Sequence, residues 1–172
     1  RTALAQFWNI PAARIPPRKP TAITSDSDLQ PEIHSHVEML RNGEIEVFWI
    51  QCTNPAVSLP DLNKFYSYLA FDNPKRPFVV VQDIYDPVES IHFADLFLPP
   101  AMWGEKTGVY TCSERKVNLG RQAVKPAGYD LREAGYGAYS DLDITRMVAE
   151  KLAAMDARFA DNDGNSLVRF ET

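Results

Sequence analysis

Polar side chains with amide and carboxylate groups follow two apolar stretches of the chain. Asn54 lies shortly after the stretch 45–51 (IEVFWIQ). Gln82 ends the stretch 78–82 (FVVVQ), and Asp83 follows it directly. A carboxylate can accept hydrogen bonds from the ring N–H and the exocyclic amine of guanine together, a two-point contact that adenine cannot make. The ammonium group of Lys106 suits a phosphate. These residue types predict a site that holds a nucleotide rather than one that breaks bonds.

The same positions also have an ordinary structural explanation. Asn and Asp after a strand are more often turn formers than ligand contacts. Neither of the common glycine-rich phosphate loops occurs in the sequence. From the residues alone, a turn therefore remains the alternative at each of these positions.

Side chains suited to catalysis or metal binding are sparse. His34 and His36 lie two positions apart on a predicted helix, so they face different sides. Cys52 and Cys112 are isolated, and two thiolates can neither hold a [4Fe–4S] cluster nor close a zinc site. We therefore predict no catalytic residue and no metal ligand in this segment.

Strands and helices alternate through the middle of the chain. Three short apolar stretches predict strands, over residues 45–51, 78–82 and 96–98. Two helices are predicted between them, over residues 60–70 and 88–94. This βαβαβ order predicts a parallel sheet with right-handed crossovers, in which ligands bind at the carboxyl ends of the strands. The loops 52–55 and 82–86 should therefore share one edge.

The segments around this unit complete the predicted fold class. It is α/β: a short parallel sheet with flanking helices, a Rossmann-like βαβ unit, plus an irregular segment and a terminal helix. The flanking elements are a helix over 32–41, an edge strand over 115–119, an irregular loop over 128–137 and a helix opened by the capping-box sequence 140–143. We divide this single domain, 1–172, into a connector (1–31), a βαβ core with a motif segment (32–126), and a loop with the C-terminal helix (127–172).

Composition excludes some classes of partner. The 172 residues are 45% hydrophobic and 24% charged, ordinary values for a globular protein. The net charge of −5 gives no support to a nucleic-acid surface. No apolar run approaches the roughly 18–20 residues of a membrane span. We therefore expect neither a nucleic-acid partner nor a membrane span.

Several motifs carry a resemblance to a known family. They are residues 45–55 (IEVFWIQCTNP), 79–83 (VVVQD) and the long stretch 94–117 (ADLFLPPAMWGEKTGVYTCSERKV). In this order and spacing the chain resembles the molybdopterin guanine dinucleotide oxidoreductases, which include nitrate reductases, formate dehydrogenases and dimethyl sulfoxide reductase. The resemblance covers nearly the whole chain, loosely over 21–31 and 127–139.

The resemblance implies roles for five residues. The loop after the first strand would touch the cofactor through Asn54, and the pair Gln82-Asp83 would grip the guanosine end of one dinucleotide. Lys106, in the family's Trp-x-Glu-Lys motif, would also contact the cofactor. So would Asp141, which opens the terminal helix.

The resemblance also implies a larger enzyme. The chain would be an internal fragment that positions a bis-molybdopterin guanine dinucleotide carrying molybdenum, and it would not be active alone. The parent enzyme would hold a [4Fe–4S] cluster outside this segment. Its partners would be the remaining domains and an electron-donor protein or subunit.

Two loops suggest a branch of the family. The sequences Thr53-Asn54-Pro55 and Trp103-Gly104-Glu105-Lys106 favour a cytoplasmic, assimilatory enzyme that reduces nitrate to nitrite, with a periplasmic location as the alternative. Other readings of the function stay open at this point: a formate dehydrogenase or arsenite oxidase of the same family, a stand-alone guanine-nucleotide-binding module, or a structural module without redox activity.

Overall fold

A computed structural model describes residues 2–15 and 36–167 of the chain. These residues fall into two compact units. One unit comprises His34–Asp141, and the other joins Arg1–Ile33 with Leu142–Thr172. The predicted helix over 32–41 and the connector over 1–31 lie partly outside the described residues.

The helices and strands occur in the predicted alternating order. The α-helices are α1 (Thr2–Phe7), α2 (His36–Asn42), α3 (Pro55–Ser58), α4 (Leu62–Leu69) and α5 (Asp141–Met155). The strands are β1 (Val47–Gln51), β2 (Phe78–Gln82), β3 (Leu96–Leu98), β4 (Gly108–Thr111) and β5 (Val117–Gly120). Short 3-10 helices cover Ala12–Arg14, Glu89–Phe93, Trp103–Glu105, Tyr129–Ala134 and Ala157–Phe159.

A three-stranded parallel sheet in the order β1-β2-β3 organises the larger unit. Gln51 at the end of β1 pairs with Gln82 at the end of β2, and Gln82 pairs in turn with Leu98 at the end of β3. All three strands therefore finish in register at the same edge. The α/β fold class with a short parallel sheet and flanking helices is confirmed.

The central strand β2 is the most deeply buried part of this sheet. Its β-branched run Val79, Val80 and Val81 is at most 7% exposed, and β1 and β3 flank this strand on its two edges. Eight buried side chains form the core of this unit: Leu40, Ile50, Ala56, Phe65, Leu69, Val79, Val81 and Val88. Phe65 and Leu69 lie one helical turn apart on α4, so that helix presents one apolar face to the sheet.

The segment after β2 differs from the prediction in its helix type. A 3-10 helix, Glu89–Phe93, stands where a helix over 88–94 was expected. Pro87 and the extended Val88 leave few residues before β3 for a longer helix. The Arg76 guanidinium stabilises the end of the 3-10 helix by donating to the Phe93 carbonyl at 2.6 Å. The crossover is consequently tight, and it holds Glu89 near the loops at the sheet edge.

A second sheet lies in the motif segment. The predicted edge strand over 115–119 is seen as β5, but it pairs antiparallel with β4 instead of joining the parallel sheet. The prediction missed β4 because its residues do not alternate clearly between apolar and polar. A Cβ added at Gly120 would come within 2.5 Å of the Tyr110 ring, so glycine lets that ring cross the hairpin.

The smaller unit has its own apolar cluster. Its buried members are Ala5, Ile10 and Ile15, against which Trp8 and Leu167 pack. The Arg14 guanidinium donates to the Ala160 carbonyl at 2.8 Å, which ties the N-terminal segment to the region after α5. No helix within residues 2–15 and 36–167 is long and apolar enough to cross a membrane.

Truncation of Phe65 should loosen the parallel sheet. The side chain is 2% exposed, so Phe65→Ala should cost about 3–5 kcal/mol of local stability. Hydrogen exchange of the β1 and β2 amides, measured peptide by peptide in the intact protein, should accelerate about 100-fold or more. Phe7→Ala, at a side chain that is 80% exposed, is the matched control. Unchanged exchange in Phe65→Ala would contradict this core assignment.

Candidate functional site

The carboxyl ends of β1 and β2 bring two of the predicted loops together. The Cys52 amide donates to the Gln82 carbonyl at 2.9 Å, so strand pairing continues one residue past β1. The Gln51 amide group also donates to the Gln82 side-chain oxygen at 3.2 Å. Cys52 then adopts a left-handed conformation with φ 52°, which turns the chain out of the strand and towards α3. The loops 52–55 and 82–86 are thus neighbours, as the topology predicted.

A further segment reaches the same edge from much later in the chain. Pro100, just after β3, forms a parallel bridge with Tyr139, and the Ala101 amide donates to the Tyr139 carbonyl at 2.7 Å. Through this bridge, the chain at Tyr139 lies parallel to the residues that follow β3. It delivers Asp141, the first residue of α5, to the ends of the strands.

Asp141 is bonded to every other member of a hydrogen-bonded cluster at this edge. Its Oδ1 atom accepts from the Gln82 amide at 2.8 Å and from the Cys52 thiol at 3.3 Å. Its Oδ2 atom forms an ion pair with the Lys106 ammonium group. Asp141 therefore joins residues from three loops that are far apart in the sequence.

Burial and hydrogen bonding act on this carboxylate in opposite directions. Burial of Asp141 works to raise its pKa, but the hydrogen bonds from Lys106, Gln82 and Cys52 outweigh burial and hold the pKa below its ordinary value. Because the Asp141 carboxylate stays charged, it disfavours a thiolate beside it. Burial, followed by the hydrogen bond to Asp141, raises the pKa of the Cys52 thiol to about 11.

Asp83 lies directly beside this cluster and is 7% exposed. Its Oδ1 atom accepts from the Tyr85 amide at 3.0 Å, which fixes the carboxylate in a turn. Its Oδ2 atom has no hydrogen-bond partner among the residues that the structure describes. Asp83 is therefore both a turn former and a nearly buried carboxylate with acceptor capacity to spare.

Asn54 forms a separate hydrogen-bonded group. It precedes α3, but its side chain does not cap that helix. The carboxamide instead donates to the Glu89 carboxylate at 2.6 Å and accepts from the Ser90 hydroxyl at 2.7 Å. The backbone N–H of Glu89 itself, followed by this bond from Asn54, keeps the pKa of the Glu89 carboxyl below its usual range.

The structure thus groups the predicted residues in two ways. Gln82 and Lys106 each contact Asp141, and Asp83 follows Gln82 in the chain. Asn54 belongs instead to the group with Glu89 and Ser90. In residues 2–15 and 36–167 no set of three or more His, Cys, Asp or Glu side chains is placed to hold a metal ion.

Sequence reasoning missed three members of these groups. Cys52 was set aside as an isolated thiol, and Glu89 and Ser90 were not considered as site residues. Their positions carried a usable signal, since Cys52 follows β1 directly and Glu89-Ser90 follows the loop after β2. The partner 89 residues from Cys52, Asp141, could be found only in three dimensions.

The Cys52 thiol should react slowly with alkylating reagents. A pKa of about 11 lowers the thiolate fraction at pH 8 about 100-fold relative to an ordinary thiol, and the greater nucleophilicity of the rarer thiolate recovers part of that loss, for a net slowing of about tenfold. Asp141→Asn should speed the reaction, because it removes two of the causes that raise the pKa. Mass spectrometry of the Cys52 peptide in the intact protein measures both rates.

The exposed thiol Cys112 provides the control within the same sample. Its alkylation should not respond to Asp141→Asn. Equal Cys52 rates in the parent protein and the variant would show that the contact with Asp141 does not govern this thiol.

Comparisons with known proteins show the family of this chain. Residues 13–151 match the model of the family described as Molybdopterin oxidoreductase. The chain is 35% identical over 130 residues to a protein of Desulfovibrio desulfuricans named "Periplasmic nitrate reductase", and 37% identical over 131 residues to a protein of Synechocystis sp. named "Nitrate reductase". Each match covers 74% of this chain but only 15% and 16% of the two relatives, respectively. The family match extends over most of the sequence, and the chain belongs to the molybdopterin oxidoreductase family.

Proposed function

We propose that this chain holds the guanosine end of a bis-molybdopterin guanine dinucleotide in an enzyme that reduces nitrate to nitrite. Membership of the molybdopterin oxidoreductase family supports the cofactor class. The names of the two relatives support nitrate as the substrate. The chain spans about 15% of the length of these relatives, so the reaction belongs to a protein of which this chain is one part.

The Asp83 carboxylate is the observation that carries the guanosine assignment. It is nearly buried at the carboxyl end of the central strand, and its Oδ2 atom is free among the described residues. Guanine presents two adjacent N–H donors on one edge, and a carboxylate accepts both, whereas adenine offers no such pair. Because Asp83 is largely buried while its Oδ2 atom stays accessible, a ligand can donate to this carboxylate without a rearrangement, and hydrogen bonds to a charged group are among the stronger ones.

The neighbouring charges favour the same end of the dinucleotide. Among the described residues grouped at this edge, the carboxylates of Asp83, Asp141 and Glu89 outnumber the single ammonium group of Lys106. Such a balance attracts the donor-rich edge of a purine more than it attracts a phosphate. We assign Lys106, Asp141 and Asn54 to further cofactor contacts, and Gln82 to the support of Asp141, since its side chain has no exposed surface.

The contribution of this chain to the reaction is binding and orientation. The bound cofactor would supply the two-electron chemistry that turns nitrate, two electrons and two protons into nitrite and water. Residues 2–15 and 36–167 provide the strand-end carboxylate and amides that would hold its nucleotide, and we assign no acid, base or metal ligand among them. The [4Fe–4S] cluster, the remaining domains and the electron donor that the family resemblance implies belong to the rest of the enzyme.

The location of the enzyme is a separate part of the proposal. The loop sequences favoured the cytoplasm and nitrate assimilation, with the periplasm as the alternative. One relative is named as a periplasmic enzyme, while the name of the other states no compartment. These names favour the periplasmic alternative, and fractionation of cells that express the intact protein decides between the two.

Replacement of Asp83 should weaken retention of the cofactor. Asp83→Ala removes charge-assisted hydrogen bonds, so binding should weaken by about 10- to 100-fold. Molybdenum per polypeptide, measured by mass spectrometry on the purified intact enzyme, should fall accordingly. Asp72→Ala, at an exposed turn position of the same unit, should keep full occupancy. Full molybdenum occupancy in Asp83→Ala would contradict the assignment of Asp83 to the guanosine contact.

The identity of the nucleotide and the substrate can be tested on the same preparation. Hydrolysis of the extracted cofactor should release GMP, and release of another nucleotide would overturn the guanosine assignment. Turnover of nitrate, but not of formate or arsenite, is expected of the intact enzyme. Turnover of formate or arsenite alone would place it in another branch of the family.

A further inference from the structure

We propose that Ser90 and Glu89 are positioning residues that fix the orientation of the Asn54 carboxamide. The inference rests on the proposed function, in which Asn54 contacts the cofactor. Ser90 and Glu89 come from the 3-10 helix after β2, whereas Asn54 comes from the loop after β1. The two residues therefore connect the two strand-end loops through one amide group.

The two hydrogen bonds determine which end of the amide points where. An Asn carboxamide has a carbonyl oxygen that only accepts and an amino group that only donates. The Ser90 hydroxyl, 2.7 Å from Oδ1, supplies a donor for the oxygen, and the Glu89 carboxylate, 2.6 Å from Nδ2, supplies an acceptor for the amino group. A flipped amide would face Nδ2 towards the hydroxyl and Oδ1 towards a carboxylate, with two acceptors in contact. The flipped state is therefore disfavoured by the loss of a charge-assisted hydrogen bond.

The Ser90 hydroxyl is itself held in place. Ser90 is 1% exposed, so water does not compete for its hydrogen bonds. Its oxygen also accepts from the Ala56 amide at 3.4 Å, at the start of α3. Because that amide points at the hydroxyl oxygen, the hydroxyl hydrogen is left to donate to Asn54. The direction of the bond between Ser90 and Asn54 thus follows from the backbone of α3.

The fixed amide restricts what a ligand can offer to it. Asn54 can make four hydrogen bonds, two as donor and two as acceptor. Glu89 and Ser90 use one of each, and no other residue that the structure describes uses the rest. One N–H and one carbonyl lone pair remain. A ligand that offers an acceptor to this N–H or a donor to this lone pair can bind without any loss of side-chain freedom at Asn54.

A double-mutant cycle in the intact, cofactor-loaded enzyme tests this assignment. The measured quantity is the rate at which molybdenum leaves the protein at a fixed urea concentration below the unfolding transition. Ser90→Ala should release molybdenum about tenfold faster than the parent enzyme, on the scale of one net hydrogen bond. In an Asn54→Ala background the same substitution should have almost no effect, because Ser90 acts through Asn54. Damage to the fold alone would accelerate release equally in both backgrounds.

Conservative variants sharpen the result. Ser90→Thr keeps the hydroxyl and should stay closer to the parent rate than Ser90→Ala. Glu89→Ala should act in the same direction but more weakly, because Glu89 is exposed and water can replace it as the acceptor. Ser67→Ala is the serine control, since Ser67 is exposed and its hydroxyl donates to the nearby Lys64 carbonyl, away from the site.

The possible outcomes separate this inference from the proposed function. Equal effects of Ser90→Ala with and without Asn54 would overturn the positioning role and leave the cofactor site intact. An Asn54→Ala variant that keeps the parent release rate would remove the contact on which the inference rests, and the Asp83 variants then test the remaining site separately.

Discussion

The register of three parallel strands is the constraint on which the rest of the site depends. Because Gln51, Gln82 and Leu98 are paired in one row, the residues that follow them must emerge at the same edge. Parallel sheets are usually buried, and here Phe65 and Leu69 of α4 belong to the same core cluster as Val79 and Val81 of β2. The polar loops therefore follow strands that are packed in a buried core. A site that orients a large cofactor requires such rigid support.

The Asp141 cluster shows how a charged group can be stabilised at the edge of the sheet. Removal of a carboxylate from water is costly, and an ion pair alone does not always offset that cost. Here the amide of Gln82 and the thiol of Cys52 add to the Lys106 pair, and the lowered pKa of Asp141 indicates that these bonds outweigh desolvation. The cluster also fixes Asp141 at the ends of the strands within its own unit.

The sequence predicted the sheet well because the local signals and the packing agree. A run such as FVVVQ favours an extended backbone and is apolar enough to be buried, so the prediction of β2 is confirmed to the residue. The 3-10 helix after β2 and the pairing of β5 with β4 were missed, since both depend on which distant segment is available to pack or pair. Asp141 could be placed beside Lys106 only through the bridge between Pro100 and Tyr139, which no local pattern encodes.

Two kinds of polar residue can be distinguished at the sheet edge. Gln82 and Ser90 use their hydrogen-bonding capacity on other protein groups, and both have almost no exposed surface. Asp83 and Asn54 differ, because each is held by at least one bond and still has acceptor or donor capacity to offer. Residues of the first kind set geometry, and those of the second kind can meet a ligand without a rearrangement. Many polar groups at this site hold other side chains in place. Such a site suits a domain that positions a cofactor while the chemistry takes place elsewhere on that cofactor.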